Sequence, residues 1–345
     1  MDPNRVGGMD RFFWQFDKKC KKNNIETVWF FPNKASHGNY PELNTISSEG
    51  LPLESFFINY INENHIKFDF VVTHFIELCT SFFKKIKNHH PSRIICIDHN
   101  PRPINGYSIK KKIIKRVKGI LYSKHINVFI GVSQYTSNQI LNDFGGHLKN
   151  KTYTIYNGVF IDDILKREQR NFRNPTFLTA SHLRESKGIQ DLIDAVALLP
   201  DDTKSKIVID IYGDGPYKSV LLEKVYVKNV VSNFNFKGSK SNLKVIFHQY
   251  DYMLQPSHME CFSLSILESL AANVPVITTN VGGNEEVITD FENGFIFPAN
   301  NTVALKNILQ DLLSANKKIL IDTRILMENN FSLDKMVENH FQLLS

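Results

Sequence analysis

The chain has 345 residues, 42% hydrophobic and 22% charged, with a formal net charge of +6 at neutral pH. That length accommodates two domains with their own cores, the composition is that of a soluble globular protein, and the small positive balance permits an anionic partner without identifying one. The four cysteines, Cys20, Cys79, Cys96 and Cys261, have no CxxC or Cys/His spacing, which argues for a reducing compartment and against a metal site. No apolar run reaches the roughly 18 residues of a membrane span. The first ten residues place no apolar core behind a basic start, so neither a transmembrane helix nor a signal peptide is expected.

In chain order, hydrophobic spacing predicts a helix over 9–24 and a strand over 25–31, then a helix over 51–65 and a strand over 69–75. Helix-like segments 76–90, 110–125 and 135–146 lead to strands at 93–100, 128–134 and 152–159. A polar stretch, 162–175, places the first domain at 1–168. The pattern resumes with a strand at 176–183, a helix at 187–200, a strand at 206–215, a helix at 217–229 and a short strand at 233–238. A strand at 251–257, a helix at 264–273 and a strand at 273–281 follow, then closing helices at 302–315 and 332–344. The second domain is placed at 169–328, with 329–345 a C-terminal helix expected to pack back toward the first. Strands alternating with helices imply crossover connections and mainly parallel sheets. The fold class is therefore α/β, two doubly wound domains facing a cleft of the kind that favours ligands.

The densest stretch runs from Pro256 to Ile288. Its loop and first helical turn lie beyond the carboxyl ends of strands, where open α/β sheets bind ligands. Free amides near Phe262, Ser263 and Leu264 can hold an anion such as a diphosphate. Glu260 in the loop and Glu268 about one turn into the helix flank that site as acceptor-only carboxylates suited to sugar hydroxyls. The competing reading makes Ser265 and Glu268 a capping box that only tidies the helix start. Arg184 and Lys187 follow a strand end and can reach a cleft anion, or form a solvated basic turn. Gly213 and Gly215 mark a strand-to-helix turn that lacks the last glycine of GxGxxG and is no nicotinamide fingerprint. His99 ends a strand, with His74 a second candidate at another strand end; Asp98 either orients His99 or caps the strand. Arg102 can meet an acceptor phosphate or sit on the surface. The 110–125 segment, with Lys111 and Lys115, interleaves basic and apolar residues: either a helix for anionic membrane surfaces or a core helix with a solvated lysine face.

The ordered set GGMDR, VSQYT, YNGV, KGIQDLIDA, YGDGP, PSHMECF and GGNEEVI before NGFIF, centred on the E-x7-E pair Glu260 and Glu268 in ECFSLSILE, resembles the retaining glycosyltransferases of family 4. The resemblance covers nearly the whole chain and implies the GT-B fold, two facing Rossmann-like domains. It implies that Glu260 binds hydroxyls of the donor sugar, Glu268 the ribose, and amides near Phe262 to Leu264 the diphosphate, with Gly7, Gly8, Gly213, Arg184 and Lys187 also on the donor. Glu286 takes the place of the family glutamate after Gly-Gly, whereas Glu285 reads as a helix N-terminus that favours negative charge. His99 matches the histidine that contacts the transferred sugar. Two departures stand out. His182 occupies the usual position of the phosphate-binding arginine, and Cys261 and Ser263 replace glycines after the first glutamate.

The resemblance further implies sugar transfer from a nucleotide-diphosphate donor to a hydroxyl acceptor with retention, hexosyltransferase in type, with His99, Lys187 and Glu260 as the catalytic residues and no metal or other cofactor. It suggests bacterial surface polysaccharide or glycolipid synthesis, a saccharide or lipid-linked acceptor, and a cytoplasmic protein at the inner face of the membrane. A GT-B sugar-nucleotide epimerase and a non-catalytic sugar-nucleotide-binding subunit are the alternatives; no nucleic-acid motif appears. Only six residues precede Gly7, where family members have an apolar strand, so the first domain is expected to lack its first strand. An upstream extension is expected to improve solubility and activity.

Overall fold

The structure, a computed structural model, describes residues 7–345. The chain divides into two compact units. The first comprises the described residues up to Asn100, Asn105–Asn157 and Leu333–Ser345; the second comprises Pro101–Ile104 and Gly158–Ser332. The crossing at Asn157 precedes the polar stretch read from sequence as the boundary. That stretch is packed onto the second unit by buried acceptors: Asp251, fully buried, takes Arg167 Nε at 2.9 Å, and Arg170 Nη1 donates to the Ile319 carbonyl at 2.7 Å.

In the first unit, helix α1 (Asp10–Lys22) is followed by strands β1 (Trp29–Phe31) and β2 (Thr45–Ser47), helix α2 (Leu53–Glu63), strand β3 (Phe70–His74), helix α3 (Ser81–His89) and strand β4 (Arg93–Asp98). Helix α4 (Ile109–Tyr122), strand β5 (Val128–Gly131), helix α5 (Gln134–Phe144) and strand β6 (Thr152–Thr154) complete the run. Ser133 caps α5, its Oγ accepting from the Thr136 amide at 3.0 Å, as a serine ahead of an apolar-periodic segment should. Strands β3-β4-β5-β6 form one parallel sheet and β1-β2 a separate parallel pair. Among the described residues nothing pairs between β1 and β3. An apolar groove of about 450 Å³ lies there, lined by Trp29, Phe30 and Phe31 of β1 and Val71, Val72 and His74 of β3. The expected absence of a first strand concerns the residues before Gly7, which lie outside those described.

The second unit begins with strand β7 (Phe177–Ala180), helices α6 (Ile189–Ala197) and α7 (Asp201–Lys204), strand β8 (Ile209–Tyr212), helix α8 (Lys218–Val227) and strand β9 (Phe234–Gly238). Strand β10 (Tyr252–Gln255), helix α9 (Leu264–Ala271), strands β11 (Val276–Thr279) and β12 (Gly294–Phe297), and helices α10 (Thr302–Leu313) and α11 (Arg324–Asn330) follow. All six strands are parallel in the order β12-β11-β10-β7-β8-β9. This is a doubly wound sheet whose direction of travel reverses between β7 and β10. Ile209, Ile211, Leu254 and Ile277 are fully buried along the strands, and Leu192, Leu221 and Leu309 from α6, α8 and α10 belong to the same core. The last helix, α12 (Leu333–Phe341), belongs to the first unit, where Lys19 of α1 holds Glu338 at 2.7 Å.

Candidate functional site

Four loops leave the carboxyl ends of β7, β8, β10 and β11, and glycines set how closely they approach. Gly213 (φ +138°) lies so near the Ser181 carbonyl that a Cβ would sit 1.9 Å from its oxygen. Gly188 (φ +68°) likewise abuts the Pro256 carbonyl, at 1.8 Å, and Gly282 (φ +63°) the Glu260 carbonyl, at 2.3 Å. Only glycine accepts both the left-handed backbone and the missing side chain. The loop after β7 is also tied to that after β10 by the His258 amide donating to Ser186 O at 2.8 Å and by His258 Nε2 against Asp191 Oδ2 at 2.6 Å.

At the centre of this arrangement, beyond the point where the sheet changes direction, Lys187 Nζ meets Glu260 Oε1 at 2.5 Å. The same oxygen accepts from Gln255 Nε2 and Ser257 Oγ, each at 2.9 Å. Among the described residues Glu260 Oε2 accepts no hydrogen bond, although the residue is only 7% exposed. The carboxylate is therefore fixed through one oxygen and keeps the other available. Sequence spacing singles out Lys187 and Glu260 separately; of the residues that hold the carboxylate, Gln255 lies outside every motif, and Ser257 lies within PSHMECF without being given a role.

Helix α9 starts directly after this loop. Its N-cap is Ser263, whose hydroxyl makes no cap bond but pairs with Gln255, receiving Nε2 at 2.8 Å. Ser265 lies inside the helix, so the capping box that would have made Glu268 a helix-start accessory is out of register. Leu264 opens the helix, and the first-turn amides receive no side-chain cap, the condition for holding an anion. Phe262 is buried against Phe331, ring centroids 5.7 Å apart, so it can serve the site only through its backbone. Glu268 is half-buried one turn into α9, Glu286 half-buried in the turn after Gly283, and Arg184 and Glu285 exposed.

Unit one holds a second cluster. His99 follows β4, His74 ends β3, and His74 Nδ1 lies 3.0 Å from His99 Nε2. Phe75 stacks on His99 at 4.3 Å, and His340 of α12 stacks on His74 at 6.3 Å. Burial, with the His340 imidazole adding to it and Asp98 opposing it, pushes His99 down to about 3. Burial brings His340 to about 4 and, with both neighbouring imidazoles, holds His74 well below the usual range. The three rings are neutral at physiological pH. Asp98 caps the turn beyond the strand, its Oδ1 accepting from the Asn100 amide at 2.9 Å. His340 escapes sequence reading because nothing local links a C-terminal helix to β3.

The remaining candidates are dispersed. Gly7 and Gly8 lead into α1, with the Gly7 amide donating to Asp10 Oδ2 at 2.8 Å. Arg102 is buried in the second unit. Lys115 turns back from α4 to Asp143 at 3.1 Å, and Lys111 covers the Tyr107 ring at 4.1 Å. Among the described residues no helix is long and apolar enough to cross a membrane.

A doubly wound unit with a lysine–carboxylate pair and an uncapped helix start at its switch point has the arrangement in which open α/β sheets take up ligands. Residues 160–323, within the second unit, match the family described as glycosyl transferases group 1. An uncharacterized glycosyltransferase of Methanocaldococcus jannaschii is 30% identical over 230 residues, 64% of this chain and 61% of that one. The N-acetyl-alpha-D-glucosaminyl L-malate synthase of Bacillus anthracis is 29% identical over 170 residues, 46% of this chain and 44% of the relative. The matched region thus spans less than two thirds of either relative. Among solved structures, Anabaena HepE in complex with UDP and glucose superposes with a TM-score of 0.76 at 17% identity, covering 99% of this chain and 97% of that one. The lipopolysaccharide outer core galactosyltransferase WaaB gives 0.72 at 16% identity, covering 98% and 96%. The fold is GT-B, two Rossmann-like α/β units in one chain.

Proposed function

We propose that the chain transfers a sugar from a nucleotide-diphosphate donor to a hydroxyl acceptor with retention at the anomeric carbon, in the assembly of a surface polysaccharide or glycolipid. The observation that carries this reading is the Lys187–Glu260 pair beside the uncapped start of α9, with one carboxylate oxygen uncommitted. The diphosphate lies against the α9 amides and Lys187, with Arg184 contributing from its exposed position. Glu260 Oε2 receives donor-sugar hydroxyls and Glu268 the ribose. The group 1 match and the UDP and glucose bound in the HepE structure support a nucleotide-sugar donor.

Chemically, the site's task is to stabilise charge that grows on the departing diphosphate. A fixed ammonium and helix-start amides do this without reorganising during the reaction, and such preorganised groups are worth about 10²–10³ in rate each. They meet the leaving-group charge without a resident metal. His99, neutral and buried, serves as a hydrogen-bond partner for the transferred sugar rather than as a proton donor. Departure and attack on one face of the sugar give retention without a covalent intermediate.

The test is nucleotide release. With a UDP-sugar and a saccharide or lipid-linked acceptor, wild type is expected to release UDP in an acceptor-dependent way and to form an α-linked product from an α-linked donor, read by proton NMR. Donor binding with no release in the presence of any acceptor would mark a binding subunit. Conversion of the donor without acceptor would mark an epimerase.

A further inference from the structure

Helix α4 is attached to its unit along a narrow strip. Gly119 is its one buried residue, and a Cβ there would lie 2.0 Å from the Phe144 carbonyl oxygen, so the helix rests closely on the end of α5. Lys115 reaches Asp143, Arg116 Nη2 donates to the Asn142 carbonyl at 3.0 Å, and Lys118 pairs with Glu77 at 2.7 Å. At roughly 100° per residue, Ile109, Ile113, Ile114, Val117, Ile120 and Leu121 fall in one sector of about 140° on the side away from that strip. These six side chains are between 45% and 78% exposed. The sequence left open a core helix with a solvated lysine face; the structure instead turns the aliphatic face outward.

The charges around this face have one sign. Lys112 and Arg116 border one edge of the aliphatic sector, Lys111 and Lys118 the other, and Lys110 lies within it. No aspartate or glutamate occurs between Asp98 and Asp143. Of the acids near the helix, Asp143 and Glu77 are each already ion-paired, and Glu54 lies within electrostatic reach of Lys118 on the inner side of the stripe's edge. Single exposed aliphatic residues are ordinary, but a contiguous stripe marks an interaction surface. A stripe of branched aliphatics edged by cations, with long lysine stems able to reach outward, suits the acyl boundary below anionic headgroups.

We propose that α4 is an in-plane membrane anchor, laying its aliphatic stripe into an anionic bilayer surface with Lys110, Lys111 and Lys112 among the lipid phosphates. This stands independently of the sugar-transfer reading. The test is co-sedimentation of the full chain with large unilamellar vesicles of phosphatidylcholine, alone or with about 30% phosphatidylglycerol. Wild type is expected to partition onto the anionic vesicles at least about tenfold more strongly, and less so as salt shortens the screening length. An Ile113→Ser, Val117→Ser, Ile120→Ser variant and a Lys110→Glu, Lys112→Glu variant are each expected to lose at least about tenfold in partitioning with unchanged Tm, because all five side chains are exposed. Three results would overturn the proposal: no binding of wild type to anionic vesicles, equal binding of wild type and both variants, or a solution dimer that the α4 variants dissociate, which would assign the stripe to a second copy.

Discussion

Glu260 accepts three donors on a single oxygen, and one of them is a lysine 73 residues away in sequence. This fixes how substitutions should behave. Lys187→Ala removes the cation proposed to meet the diphosphate and leaves Glu260 held by neutral donors, so turnover is expected to fall by about 10²–10³ in steady-state assays. Glu260→Gln keeps the shape but takes the negative charge from the proposed sugar subsite; donor affinity should fall while circular dichroism is unchanged. At Gly282 a methyl group would meet the Glu260 carbonyl in a backbone conformation that L residues disfavour. Gly282→Ala should therefore cost about 1–3 kcal/mol in urea unfolding, and an unchanged midpoint would show that the loop can move aside. The E-x7-E spacing and the lysine at the head of a helix made these residues visible in the sequence. Gln255 and Ser257 were not singled out, because their bonds to Glu260 depend on how the loop after β10 folds back on itself, nor were His258 and Asp191, whose contact arises only where loops from separate strands meet.

Among the elements, long periodic segments such as α1, α6 and α10 were legible, and so was strand-helix alternation. Short pieces were not: β2, α7 and α11 carry too few residues for either periodicity to declare itself. Strand β1 shortens from the expected 25–31 to Trp29–Phe31, pairing among the described residues with β2. The histidine cluster is built by four elements, α1, β3, β4 and α12, and its depressed proton affinity has a consequence of definite sign. An unfolded histidine near its ordinary value of about 6.5 binds a proton that the folded ring refuses. The stability contributed by neutral His74, His99 and His340 is thus complete above pH 6.5 and is lost as pH falls toward about 4 and then about 3. Thermal unfolding followed from pH 7.5 to pH 4.5 should show Tm falling, and His340→Phe, which keeps an aromatic ring against Phe12 of α1, whose ring centroid lies 4.7 Å from that of His340, should flatten that fall. A slope unchanged by the substitution would exclude His340 as a contributor.

For the whole molecule, two Rossmann-like units joined in one chain were readable from the order of motifs and from the alternation of strands and helices through both halves. An apolar groove lies between β1 and β3 of the first unit, two strands whose facing edges have no partner among the described residues. The central claim concerns the other unit, that Lys187, Glu260 and Glu268 form a nucleotide-sugar site at the switch point of the second sheet. Thermal shift with UDP, UDP-glucose, UDP-N-acetylglucosamine and GDP-mannose against wild type and Glu268→Ala tests it most directly. At least one of these ligands is predicted to raise the wild-type Tm, by the several degrees that about 2.7 kcal/mol of ligand stabilisation near a hundredfold excess over Kd gives, and to lose most of that shift with Glu268→Ala. Absence of a wild-type shift with every ligand, or equal shifts in both proteins, would contradict the account.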